Sequence, residues 1–192
     1  MAERADAARN RRAILLATEE LLATHRPEQV SMERVAAAAG VGKGTVFHRF
    51  GSRIGLMRAL MQERALGLHD AVTSGPPPLG PGAPARERLI AFLDAVVEVV
   101  ARNKGLLAAL DHAVTTTQRH DADRPVYRFW HGHIVGLIAE IREDVDAELI
   151  AHVLLSTLNS DPIHRLLERG EGDRLADCLR GIVRNVLDGT NP

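Results

Sequence analysis

The sequence predicts an all-α protein of about nine helices, because apolar residues recur three and four apart along nearly the whole chain. Two further observations agree. No segment alternates apolar and polar residues as a half-buried strand does, and aromatic residues make up only 3% of the 192, so aliphatic and alanine packing must dominate. With 45% hydrophobic and 26% charged residues, the chain can bury one sizeable core, or a small domain plus a larger one. No internal repeat is evident.

Taken in order, the first helix is expected from about Ala5 to His25, with Ile14, Ala17, Leu21 and Leu22 as its apolar stripe and Pro27 closing it. Ser31 caps a short second helix, Glu33 sits in its first turn, and Val35, Ala36 and Ala39 share one face. Gly40 supplies the residue that most readily takes positive φ after a helix end. A third helix starts at Lys43, with Val46 and Phe50 facing inward. Ser52 caps a longer fourth helix, in which Ile54, Leu56, Met57, Leu60, Met61 and Leu68 carry the pattern to about Val72.

The stretch TSGPPPLGPGAP, residues 73–84, reads as a proline-stiffened surface loop. Helices resume over Ala85–Arg102, Lys104–Ala113 and Arg124–Arg142. Asp146 caps the next, the run NSDP interrupts it with Asp161 as a new cap and Pro162 in the first turn, and a last helix covers Gly172–Leu187. In that tail Leu166, Leu175, Leu179, Ile182, Val183, Val186 and Leu187 exceed what one stripe needs, and burial against a second copy accounts for the surplus. The single cysteine, Cys178, excludes an intrachain disulfide and is expected to be buried beside Leu175, Leu179 and Ile182. No segment approaches a membrane span, no signal peptide is apparent, and a cytoplasmic location is expected.

The net charge of −1 divides unevenly: residues 1–60 hold 10 Lys and Arg against 6 Asp and Glu, and residues 61–192 hold 14 against 19. The basic balance therefore sits on the short helices of the N-terminal part, as the footprint of a nucleic-acid binder should. Arg4, Arg9, Arg11 and Arg12 concentrate it ahead of the first helix, as a groove-tracking arm or a solubilising tail.

The third helix is held by two apolar contacts, and Lys43, Thr45, Phe47, His48 and Arg49 are left on its other faces. Donors and cations on a free helix suit a polyanion: phosphate neutralisation supplies affinity and base-edge contacts supply specificity. Gly44 lets a backbone approach closely. Composition alone fits an ordinary helical hairpin equally well.

The order of residues shifts that balance. The run AAAGVGKGTVFHRFGSR resembles the DNA-binding domain of the TetR family of bacterial transcriptional regulators, over about Arg11 to Leu60. The resemblance implies that Lys43, Gly44, Thr45, Phe47, His48 and Arg49 line the DNA side of a recognition helix, with Ser31 and Arg53 on flanking phosphates. Three departures from the family pattern stand out. Gly42 replaces a capping Ser or Thr, Phe47 replaces a commoner Tyr and loses its hydroxyl, and Arg49 replaces a frequent His, adding a fork able to read guanine.

The resemblance further implies residues 1–60 as the DNA-binding domain and 61–192 as a ligand-binding and dimerisation domain. A homodimer would bind a double-stranded, palindromic operator as a repressor and leave it when a small-molecule effector enters the larger domain. Phe92, Leu107, Tyr127, Trp130, His133 and Asn159 mix apolar walls with polar groups as effector pockets do, although core packing explains each singly.

Two other readings are open to the sequence. A metal-responsive regulator would use His112, His120, His131, His133 and His164 with Asp111 or Asp161, but no pair among these has the i, i+4 spacing that places two rings on one ion. A helical interaction module follows if the helix-turn-helix is vestigial. No nucleophile elbow, phosphate loop or HExxH run is present, so no catalytic residues, metal or cofactor are expected.

Overall fold

A computed structural model describes residues 2–110, 125–158 and 160–189, with the side chains of 2–5, 104, 105 and 107–110 excepted. Among the described residues the regular structure is helical: α1 Ala2–Thr24, a 3-10 turn Pro27–Gln29, α2 Met32–Ala38, α3 Lys43–Phe50, α4 Arg53–Ser74, α5 Ala85–Leu110, α6 Pro125–Ile141, α7 Ala147–Thr157, α8 Asp161–Glu168 and α9 Gly172–Asp188. The all-α expectation holds. The chain forms two compact units, one running to Arg64 and resuming at Gly105, the other made of Ala65–Lys104 and the C-terminal helices.

The first unit closes around Ile14, Leu15, Val30, Val35, Val46, Leu56, Met57 and Leu60, all nearly inaccessible to solvent. Two ion pairs fasten α1 to α4: Arg64 Nη2 to Glu19 at 2.9 Å and Arg11 Nη1 to Glu63 at 2.7 Å. Arg9 and Arg12, expected ahead of the first helix, lie within it, because the alanine-rich N-terminal run contains no breaker and α1 already starts at Ala2. Arg9 is spent on Asp6, one turn away. The backbone at Arg4 is helical too, so these arginines belong to α1 itself.

The second unit buries Leu68 and Val72 of α4 with Leu89, Phe92, Leu93 and Val96 of α5, Ile134, Leu137 and Ile138 of α6, and Leu154 and Leu155 of α7. Arg142, just beyond α6, donates to the carbonyls of Val186 and Gly189 at 2.9 and 3.1 Å and so satisfies the C-terminal end of α9. Arg180 of α9 pairs with Asp94 of α5.

Four expectations are corrected. The helices anticipated over Ala85–Arg102 and Lys104–Ala113 are continuous as α5 through Leu110, with Gly105 tolerated inside it; residues 111–113 lie outside the described residues. Ser160, not Asp161, is the N-cap residue of α8, although its hydroxyl donates back to the Thr157 carbonyl instead of capping. Cys178 is exposed. Leu175, Ala176, Leu179, Val183 and Leu187 define the buried stripe of α9, and at 100° per residue Cys178 falls well outside it. The apolar surplus of the tail is smaller than anticipated, since Leu175, Leu179, Val183 and Leu187 are consumed internally; Ile182 stays 45% exposed, and Leu149 and Val153 of α7 are more than half exposed.

Candidate nucleic-acid interface

The α2–α3 corner is built by local chemistry. The Ser31 hydroxyl accepts from the Arg34 amide at 3.2 Å and caps α2. After Ala38 the chain reverses through Gly40 at φ 65°, a conformation that costs glycine least. The Val41 amide closes the turn on the Ala36 carbonyl at 3.0 Å. Val46 is fully buried beneath α3 and Phe50 half-buried, which fixes the face α3 turns to solvent.

That face carries Lys43, Gly44, Phe47 and His48, all exposed, with Thr45 and Arg49 half-buried at its margins. Gly42 caps α3 by backbone alone, the Thr45 amide donating to its carbonyl at 2.9 Å. No side chain competes there for the first-turn amides, an end of the helix suited to a phosphate. The positive-φ turn and bare cap show that the departure at Gly42 is accommodated without loss of the helix.

Lys43 Nζ stands 2.6 Å from the Glu33 carboxylate and 5.5 Å from the centroid of the Phe47 ring. Its hydrogen bond is the main cause that lowers the Glu33 pKa to about 2, so this carboxylate stays anionic through the neutral range. The cation is thus held over the helix start before any phosphate arrives. Glu33, read from sequence only as a helix-end charge, is a member of this surface.

Arg49 keeps its Nε buried with no hydrogen-bond partner among the described residues. Arg53 differs from expectation in its surroundings: Nη2 donates to the Pro27 carbonyl, tying α4 to the turn before α2. Arg34, which sequence reasoning passed over, spans the same corner, with Nη1 on the Gln29 carbonyl at 3.2 Å and Nη2 3.1 Å from His25 Nε2. Its position three residues after the Ser31 cap was the available signal.

A Cβ built on Gly44 meets nothing within 4 Å. Gly44→Ala should therefore leave the fold at least as stable, by up to about 1 kcal/mol in helix propensity. If a DNA backbone approaches this position, the same change weakens DNA binding; thermal melts and gel shifts on one preparation separate the two effects, and unaltered DNA affinity would remove Gly44 from the interface.

Of the anticipated effector residues, the second unit brings Phe92 and His133 into edge contact, centroids 4.7 Å apart, with Trp130 half-buried one turn before His133. Tyr127 lies elsewhere along α6, its hydroxyl 2.7 Å from His152 Nδ1. Leu107 falls in the segment belonging to the first unit and its side chain is outside the described set, as is Asn159. Of the suggested metal set, Asp111, His112 and His120 also lie outside, and no group of three or more potential ligands occurs among the described residues. Sequence reasoning missed Arg88, His69 and Phe129; Arg88 is four before Phe92 and so shares its helix face.

A capped first helix, a positive-φ turn and a second helix presenting its cationic side outward define a helix-turn-helix DNA-binding protein of all-α architecture. Residues 14–60 match the bacterial regulatory proteins of the tetR family. Those residues therefore form a DNA-binding domain of the type found in TetR-family transcriptional regulators. Among solved structures, a TetR transcriptional regulator from Streptomyces coelicolor is similar at 25% identity and TM-score 0.56, over 95% of this chain and 98% of that one. A TetR-like regulator from Rhodococcus sp. RHA1 is similar at 21% and 0.57, over 94% and 97%. AibR, crystallised with isovaleryl coenzyme A and operator DNA, shares the fold at 19% and 0.50, over 90% and 97%. No curated protein matches in sequence.

Proposed function

We propose that this regulator is a homodimeric repressor that holds a palindromic operator through α3 and releases it when a small molecule enters the second unit. The observation that carries the reading is the outward face of α3, where Lys43, Phe47 and His48 are exposed above a fully buried Val46. Lys43, Gly44, Thr45, Phe47, His48 and Arg49 meet the groove, Ser31 and Arg53 lie at its flanks, and residues 1–60 and 61–192 divide binding from sensing. Exposed Leu149, Val153 and Ile182 favour a second copy, which would set two recognition helices about one DNA turn, roughly 34–36 Å, apart. AibR, with both a ligand and operator DNA bound, motivates extending that pairing to this chain. The protein acts in the cytoplasm and without catalysis in this reading; among the described residues no helix is long and apolar enough to cross a membrane.

Release is linkage: a ligand preferring the non-binding arrangement lowers DNA affinity by its preference ratio. The test is a gel shift with DNA from upstream of the protein's own gene, with sedimentation to read the assembly. A retarded, dimer-stoichiometric complex is expected, and no complex at low salt overturns the proposal. Within it, Arg49→Ala should cost about 1–3 kcal/mol and relax the preference among operator variants. An unchanged preference would show that the half-buried Arg49 reads no base.

A further inference from the structure

Inside the second unit, four rings form a ladder. His69 of α4 packs on Phe129 of α6 at 4.2 Å, Phe129 lies nearly parallel to His133 at 6.2 Å, and His133 meets the edge of Phe92 on α5 at 4.7 Å. Three nitrogens in this region are buried without a hydrogen-bond partner among the described residues: Arg88 Nε, Trp130 Nε1 and His133 Nε2. Buried polar groups are nearly always paired in folded proteins, because an unmade bond forfeits the hydration it had in the unfolded chain. The first two nitrogens can only donate, and His133 Nε2 can donate in either its Nε2–H tautomer or its charged form. Arg88 is also poorly matched in charge. Its Nη1 is 3.9 Å from the Glu140 carboxylate, beyond hydrogen-bond length, and Glu140 is exposed enough to turn to water.

We propose that Arg88 and His133 form the anion-binding end of the effector site, and that the effector is a small organic acid whose apolar body lies along the half-buried Phe129. The proposal rests on the release reading above. A carboxylate accepting from Arg88 replaces the loose hold of Glu140 with a charge-assisted bond, roughly twice as strong as a neutral one. A neutral acceptor would satisfy the donors but leave the guanidinium without a close counter-charge. A metal ion is the wrong partner, since a guanidinium has donors only.

The imidazole adds a proton linkage. Burial first, and the Arg88 charge second, lower the His133 pKa from its ordinary 6.5, while Glu140 opposes them; His69 is separated from it by Phe129. A bound carboxylate favours the charged imidazole, so affinity for the acid should rise as pH falls through that range.

Trp130 is the only tryptophan of the chain, so its fluorescence reports from this helix without labelling. The full-length protein is titrated with two matched pairs, octanoate against octanamide and benzoate against benzamide. At least one acid is expected to give a saturable change and to bind about tenfold or more tightly than its amide. Arg88→Met should abolish that preference at little cost in stability, because it removes a buried Nε without a partner and only a long pair with Glu140; Arg88→Gln, which keeps a donor and removes the charge, serves if the first variant does not fold. His133→Gln should keep the preference for acid and lose its pH dependence. Absence of a saturable signal with both acids, equal affinity for acid and amide, or an Arg88 variant that keeps the full preference would each overturn the proposal. Parallel gel shifts separate the two readings. Acids that bind through Arg88 yet leave the DNA complex intact sink release and leave the anion site, whereas release by the amides with no binding of either acid sinks the anion site alone.

Discussion

Phe92→Ala is expected to destabilise the protein by about 3–5 kcal/mol, the cost of removing a fully buried aromatic side chain and leaving part of its volume empty. Phe92 is 0% exposed and stands on the stripe of α5 that also buries Leu89, Leu93 and Val96. Folded domains are stable by only about 5–15 kcal/mol, so this one change removes a large share. Urea unfolding followed by helical circular dichroism measures it. A loss below about 1 kcal/mol would mean that the ring is not a packed member of the core. The size of the effect also explains why Phe92 is hard to place from sequence: an aromatic at helical spacing is equally a core residue and a ligand wall, and here it serves the first role while offering an edge to His133.

Where local chemistry decides the backbone, the sequence was readable. The Ser31 cap, the positive φ of Gly40, the inward Val46 and the Asp146 cap, whose carboxylate accepts from the Leu149 amide at 2.9 Å, each need only a few neighbouring residues to be specified. Where long-range burial decides, it was not. The run Asn103-Lys104-Gly105 has the composition of a helix end, yet α5 continues and Leu106 is buried at 2% exposure in the core of the first unit. Tertiary packing overrides the modest propensity cost of one glycine. Cys178 failed for a related reason. Two apolar neighbours in sequence do not share its helix face, and only the observed stripe reveals the angle.

The candidate sites divide the same way. The outward placement of Lys43, Gly44, Phe47 and His48 could be read from order and spacing because it depends on one short helix and what faces away from its core. The grouping of Arg88, Phe129 and His133 depends on how α5 and α6 meet, which no spacing along one helix encodes. Arg53 shows the limit even within the motif: its cationic character was plain, but its hydrogen bond to the Pro27 carbonyl joins residues 26 positions apart. A phosphate contact by Arg53 would have to be made with the remaining donors of a fork already engaged on the protein.

Lys43→Glu should separate folding from DNA binding more cleanly than any change to the buried face. The side chain is 60% exposed, so losing its pair with Glu33 costs little. As the first residue of α3, a glutamate also meets the positive end of the helix favourably. Stability should therefore change by less than about 0.5 kcal/mol. DNA binding should fall on the order of a hundredfold or more in a dimer, because a charge-assisted contact worth roughly 1.5–3 kcal/mol is lost twice. Each lost phosphate contact also flattens the salt dependence, so the slope of log affinity against log salt should shrink by roughly 2. Glu33→Gln tests the same geometry with the opposite sign. It frees Lys43 from the carboxylate that holds it at 2.6 Å and removes an anion from the surface, so affinity at low salt should rise while sequence preference weakens. An unchanged salt slope in Lys43→Glu would take Lys43 off the phosphates. If Glu33→Gln instead lowered affinity, the pair would be shown to aim the ammonium, and the rigidity gained from Glu33 would outweigh its repulsion of DNA.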